Sequence, residues 1–423
     1  MMILIHVFCS PRLKNKKNYN FFCQYGSMVA MKKRFALVLS GLCMLGFVST
    51  VSMPLGQAKE VPSVMYQFLV ELVGLSDVLY DEEAFGDAQH QKHVEQSLAR
   101  LKDLSKGLKH HKRLMTPGYE VSADYFTDQI QEAHQAYKDG HHRYAWRQFR
   151  STLHACSHCH AQESTKKHVT WNFADFDLVQ DPYNRANFYY TVRGYDQAWT
   201  LFADMVSEYR RNSITHKQLD QALNRMLSIA LQMNRQPKKM HDFLTGLTSI
   251  NRFPKSIEQE VALWIEELKR LMQIDAKALL QMPLHEFEAY MDNLYRDVYP
   301  FPKLGRDQKV VTAYLAGLVS EYMNSKPKQK TQRMMYWLGS SYLEMDALET
   351  SMLGEKYLQH CIVDYPPNMI SDICYHALED HWMMDFSGSK GMDLPADIQE
   401  TLKMYRERLD IRQPWPYKIL STP

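Results

Sequence analysis

The chain has 423 residues, enough for two or three domains, and its 45% hydrophobic and 23% charged content is that of a globular protein with ample core. Gly and Pro are scarce at 17 each, against 25 Met and 25 Tyr, which argues against a turn-rich β fold. Seven of the 50 basic residues fall in the first 58 positions, which hold no acid, leaving 43 bases against 48 acids, net −5, and no basic stripe of the kind nucleic acid requires.

Residues 1–30 have no periodicity and read as an upstream extension. From Met31 the pattern is that of an export leader: Lys32-Lys33-Arg34 is basic, Phe35 to Val48 is apolar, and Gly56-Gln57-Ala58 offers a small-residue cleavage site. The expected start is Met31 and the expected mature N-terminus is Lys59, giving a periplasmic or exported protein. The alternative is an uncleaved anchor, since residues 35–58 carry no charge, although Ser, Thr, Pro and Gly interrupt them.

Four helices are expected within 59–165. The first runs from Pro62 to about Tyr80 on a stripe of Val64, Phe68, Leu69, Leu72 and Leu75. A second covers about Ala84 to Leu108, with Val94, Leu98, Leu101, Leu104 and Leu108 on one face. The third starts at Ser122, read as its N-cap, and ends at Tyr137 before Asp139-Gly140. The fourth starts near His142 and aligns Ala145, Phe149, Leu153, Cys156 and His160 on its core face.

That fourth helix carries Cys156-Ser157-His158-Cys159-His160, the spacing of a c-type haem attachment site. One turn carries two thiols to the two porphyrin vinyl groups as thioethers, and the histidine that follows is the proximal iron ligand. The competing reading is half of a zinc site drawing on His154, His158 or His168. Such a site usually has a second Cys pair, and the chain has none. His141, His142, His154 and His158 read as a solvated face.

The motif and its place at the close of a fourth helix resemble the class II c-type cytochromes, the cytochrome c-prime group, over about a quarter of the chain. The resemblance implies an antiparallel four-helix bundle holding one covalent haem c. Some family members use a methionine early in the first helix as sixth iron ligand, which makes Met65 the candidate distal ligand. His110, His111 and Met115, at the end of the second helix, are further candidates, and an open site remains the third possibility. The family often has a basic residue one turn after the histidine, where this chain has Ser164, so no role is carried over there.

Residues 166–181 read as a linker. Helical segments follow at roughly 183–211, 215–233, 237–249, 255–273, 284–297, 307–323, 329–347, 350–364, 368–384 and 395–409, with a tail over 413–423 and no β pattern. Trp337-Leu338-Gly339 with Tyr342, then Gly354 to Val363 and Pro366, resembles a tetratricopeptide repeat, with a weaker echo at Arg193-Gly194-Tyr195. Residues 182–412 are therefore expected to be a degenerate tetratricopeptide-like α-solenoid, with a flexible loop at 386–391. Cys361 and Cys374 flank the turn Tyr365-Pro366-Pro367-Asn368 on two antiparallel arms, a placement that permits a disulfide in an oxidising compartment.

The expected fold class is all-α. The expected function is electron transfer by an exported monohaem cytochrome, with the helical repeats docking a redox partner protein. No catalytic constellation stands out, and no membrane span is expected after leader cleavage. Two alternatives remain: a five-coordinate haem that binds or senses NO or CO, and a helical-repeat scaffold in which the haem is structural.

Overall fold

The computed structural model describes residues 61–109, 117–161, 179–209, 214–248, 253–299, 303, 305–326, 329–345, 351–388 and 391–411. The leader with Met31 and Lys59, the ligand candidates His110, His111 and Met115, His168, Ser164, most of the 166–181 linker and the 413–423 tail lie outside the described residues. So do the side chains of His154, His158, Cys159 and His160, although the backbone there is described. The fold is all-α apart from one two-residue strand pair.

The N-terminal helices are α1 (Val61–Gly74), α2 (Glu82–Gly86), α3 (Gln91–Lys109), α4 (Pro117–Lys138) and α5 (His142–Ala161). The apolar stripes expected from the sequence are buried: Phe68, Leu72, Val94, Leu98, Phe149 and Leu153 all lie in the core. Cross-helix pairs fix the directions. Arg100 meets Glu71 at 2.6 Å and His93 meets the Gly74 carbonyl at 2.8 Å, so α3 runs antiparallel to α1. Thr127 donates to the Ser105 carbonyl at 3.3 Å, reversing α4 on α3. Gln148 donates to Gln129 at 2.6 Å and Tyr125 meets Ser151 at 3.4 Å, reversing α5 on α4.

Two sequence expectations fail here. The helix expected over 84–108 is two helices, because Asp87 adopts an extended conformation and accepts from the Gln89 amide, ending α2. Ser122 is not an N-cap. The helix already begins at Pro117, a residue suited to a first turn, and Ser122 is buried inside α4 against the Tyr357 hydroxyl at 3.2 Å.

The chain continues through α6 (Pro182–Thr191), α7 (Tyr195–Ser207) and α8 (His216–Leu227), which runs on as a wholly buried π-helical segment over Ser228–Met233. The single helix expected over 183–211 is broken at Arg193, whose φ of 70° lies in the left-handed region, and Gly194 becomes the N-cap of α7. Arg193-Gly194-Tyr195 is thus a helix boundary, not a repeat signature within a helix.

Next come α9 (Pro237–Thr248), α10 (Lys255–Leu271), α11 (Ala276–Gln281), α12 (Leu284–Arg296) and α13 (Gln308–Ser325). The short α11, capped by Asp275, has too few residues to display a period and was absent from the sequence reading. In α13 nearly every residue from Val310 to Met323 is buried, the mark of a helix surrounded on all sides. It packs on the π segment, α10, α11, α12, α4 and α5. Gly317 makes the closest of these approaches: a Cβ there would sit 2.8 Å from the Gln232 carbonyl oxygen.

The C-terminal elements are α14 (Gln332–Glu344), α15 (Ser351–Val363), α16 (Met369–Asp385), β1 (Ser387–Gly388), β2 (Gly391–Met392) and α17 (Ala396–Leu409). β1 and β2 pair antiparallel, so the segment expected as a loop at 386–391 carries a small hairpin. α14 and α15 cross at Gly339 and Gly354. A Cβ on Gly339 would lie 2.7 Å from Leu358 Cγ, and one on Gly354 would lie 2.7 Å from the Gly339 carbonyl oxygen. A disulfide joins Cys361 of α15 to Cys374 of α16, with Cα atoms 6.3 Å apart. Residues 58–423 cluster as one compact unit, in which α4 also packs on α15.

Candidate functional site

The attachment sequence occupies the last turn and a half of α5. The helix starts after the Asp139-Gly140 turn, where Gly140 takes a φ of 82° that a side chain would disfavour. Ala145, Phe149 and Leu153 then bury one stripe against α4. Cys156 is next on that stripe, half-buried and packed against the core. Positions 156, 159 and 160 are related by three and four residues, so their backbone positions share one side of the helix.

Beyond this stripe, α5 meets α6, and a seam of arginines and aromatic rings runs between them. Trp146 donates its indole N–H to the Leu79 carbonyl at 3.0 Å, tying α5 to the turn after α1. One turn on, the Arg150 guanidinium lies 4.9 Å from the Trp146 ring and 5.3 Å from the Tyr80 ring. From the opposite side Arg225 of α8, only 4% exposed, sits 4.7 Å over the Tyr190 ring. The Tyr190 hydroxyl meets Ser228 at 3.0 Å, and its ring makes an edge contact with Tyr195 at 6.0 Å. Tyr195 in turn lies within electrostatic reach of Cys156.

The polar chemistry of this seam is unbalanced. The buried hydroxyls of Tyr80 and Tyr195 have no hydrogen-bond partner. Burial pushes the Tyr80 hydroxyl up to about 12, against the opposing pull of the Arg150 and Arg225 charges. Burial also raises Tyr195, with Arg193 opposing and Tyr190 and Cys156 adding to the rise. The charges acting on Tyr80 are two arginines and no carboxylate.

A haem c suits these residues. It needs two thiols one turn apart with a histidine following, an aromatic or apolar wall for the macrocycle, and cations for two propionates. The motif on α5, the Tyr190–Tyr195 pair and the Arg150–Arg225 pair supply those three requirements in one neighbourhood. Among the described residues, no group of three or more His, Cys, Asp and Glu side chains is assembled to hold a bare metal ion. No helix among them is long and apolar enough to cross a membrane.

Met65 is half-buried in α1 beside core residues Val64 and Phe68. Following the cross-helix pairs, and the Phe68–Phe126 edge contact at 5.3 Å, Met65 stands abreast of the Phe149–Leu153 stretch of α5. That is on the order of 10–15 Å short of His160 along the axis. Of the histidines near the start of α5, His142 stacks on Tyr137 at 4.4 Å and His141 is exposed. The sequence reading missed Arg150, Arg225, Tyr80 and Tyr190. The one signal in the chain was Trp146 followed four residues later by Arg150, a spacing that stacks a cation on a ring. The chain matches no family model, no curated protein and no solved structure.

Proposed function

We propose that this protein is an exported monohaem c-type cytochrome that transfers electrons. Cys156 and Cys159 form the two thioethers and His160 is the proximal iron ligand. The helices α1, α3, α4 and α5 are read as a class II cytochrome four-helix bundle, and the α6–α17 region as a tetratricopeptide-like array that docks a redox partner. The observation carrying this reading is the Cys-x-x-Cys-His turn itself, closing a helix whose core stripe ends at the half-buried Cys156.

The bound group would supply a one-electron ferrous–ferric couple. The chain's own contribution is to hold it. The buried stripe Ala145–Phe149–Leu153 fixes the turn that bears the thiols, and helix packing on that stripe limits movement around the site. Paired stacks of helices present broad surfaces suited to protein partners.

The test is mass spectrometry and optical spectroscopy of the exported protein. A covalent haem adduct is expected in the wild type and its loss in a Cys156→Ser, Cys159→Ser double variant. The reduced spectrum is expected to be six-coordinate, low-spin and unchanged by CO. A chain exported without covalent haem overturns the reading, and a spectrum shifted by CO moves it to the gas-binding alternative. Met65→Ala with an unaltered low-spin spectrum removes Met65 as sixth ligand.

A further inference from the structure

The seam between α5 and α6–α8 lies outside the four helices that the sequence associates with the cofactor. It nevertheless runs from Cys156 along one flank of α5. Its chemistry is that of a site for an aromatic, doubly anionic molecule. Arg150 stacks on Trp146 and Tyr80 and makes no ion pair. Arg225 reaches the same seam from α8 over Tyr190. Between them lie buried tyrosine hydroxyls without hydrogen-bond partners. A half-buried arginine held only by ring faces has lost hydration without gaining a carboxylate. Buried hydroxyls without partners are uncommon in folded proteins and call for a further group.

We infer that the α6–α8 segment forms the second wall of the haem site, with Tyr190 and Tyr195 facing the macrocycle and Arg150 and Arg225 holding its propionate carboxylates. This rests on the haem reading of residues 156–160. It makes the cofactor the joint between the two helical regions instead of a passenger of the first. Arg150 and Arg225 are positioning residues here, acting on the potential through charge.

The direction of the effect follows from electrostatics. The ferric state carries one more positive charge than the ferrous state, so nearby guanidinium groups favour the ferrous form. Removing one lowers the reduction potential. It also raises the pKa of the propionate it held, moving the pH dependence of the potential upward.

The experiment uses the exported full-length holoprotein, with covalent haem measured by mass and the reduction potential measured by spectroelectrochemistry across pH. Arg150→Gln and Arg225→Gln are compared with Arg143→Gln, an exposed residue of the same α5 helix paired with Glu82 at 2.5 Å. Haem content is expected to hold in all three. The potential is expected to fall in the first two, with the pH dependence displaced upward, and to stay at the wild-type value in the third. Arg150→Lys, which keeps the charge, is expected to restore most of the loss. Arg225 is deeply buried, and its Gln variant can lose stability. Arg150 has no hydrogen-bond or ion-pair partner to strand, so Arg150→Gln keeps the test decisive. Covalent haem with a potential and pH profile unmoved by Arg150→Gln overturns the inference alone. Absence of covalent haem from the wild type overturns the inference and the haem reading together.

Discussion

Glu344, at the end of α14, has a carboxyl that burial raises from 4.5 to about 7, with only His381 pulling the other way. Below the lower value the group is neutral in both folded and unfolded chains, and the folded state keeps its full stability. As pH rises from 4.5 through about 7 the unfolded chain ionises first, so stability is lost across that window. Glu344→Gln is expected to melt like the wild type near pH ~4 and at a higher temperature than the wild type near pH ~8. Thermal denaturation at the two pH values checks this, and equal midpoints at the higher pH would count against a strained carboxylate. His134 works in the opposite sense. Burial first, then Lys102 and Lys138, hold it below its usual value, so its contribution is lost as pH falls below 6.5. Neither shift was legible in the sequence, because each depends on neighbours from other helices.

At the scale of elements, the crossing of α14 and α15 gives the sharpest expectation. Gly339→Ala places a Cβ 2.7 Å from Leu358 Cγ and 3.1 Å from the Gly354 carbonyl oxygen. Overpacking of this kind should cost about 1–3 kcal/mol. Gly107→Ala, in α3 with nothing within 4 Å of the added atom, should instead stabilise by about 0.4–1 kcal/mol. Urea denaturation of the pair separates a glycine needed for helix approach from one that is not. The glycine reading of Leu338-Gly339 came from the sequence alone. Its partner Gly354 was visible too, but the contact between them was not. Most helix spans were equally legible, since a 3.6-residue apolar period survives in any context. Breaks were harder. α2 ends at Asp87 and α6 ends before Gly194 through backbone conformations that hydrophobic period does not report.

Across the molecule, α13 joins the N-terminal helices to the later ones. It packs on α4 and α5 on one side and on the π segment and α14 on the other. The Ser122–Tyr357 contact at 3.2 Å and the Lys356–Asp128 ion pair at 3.6 Å add direct ties between α4 and α15. Helices on both sides of the 166–181 segment therefore share buried surface. The expected consequence is one cooperative unfolding transition, with helix content and tryptophan fluorescence changing together. Two separated transitions would show that the regions unfold independently in spite of this interface.

By itself the sequence determined the all-α class, most helix spans, the core stripes and the Cys-x-x-Cys-His turn, because each is written in residues close together along the chain. Only the tertiary structure decided that Arg225, 75 positions after Arg150, shares a seam with it, and that Tyr195 lies near Cys156. A buried charge is tolerated through the partners brought around it, and those partners come from distant segments whose pairing no local pattern encodes.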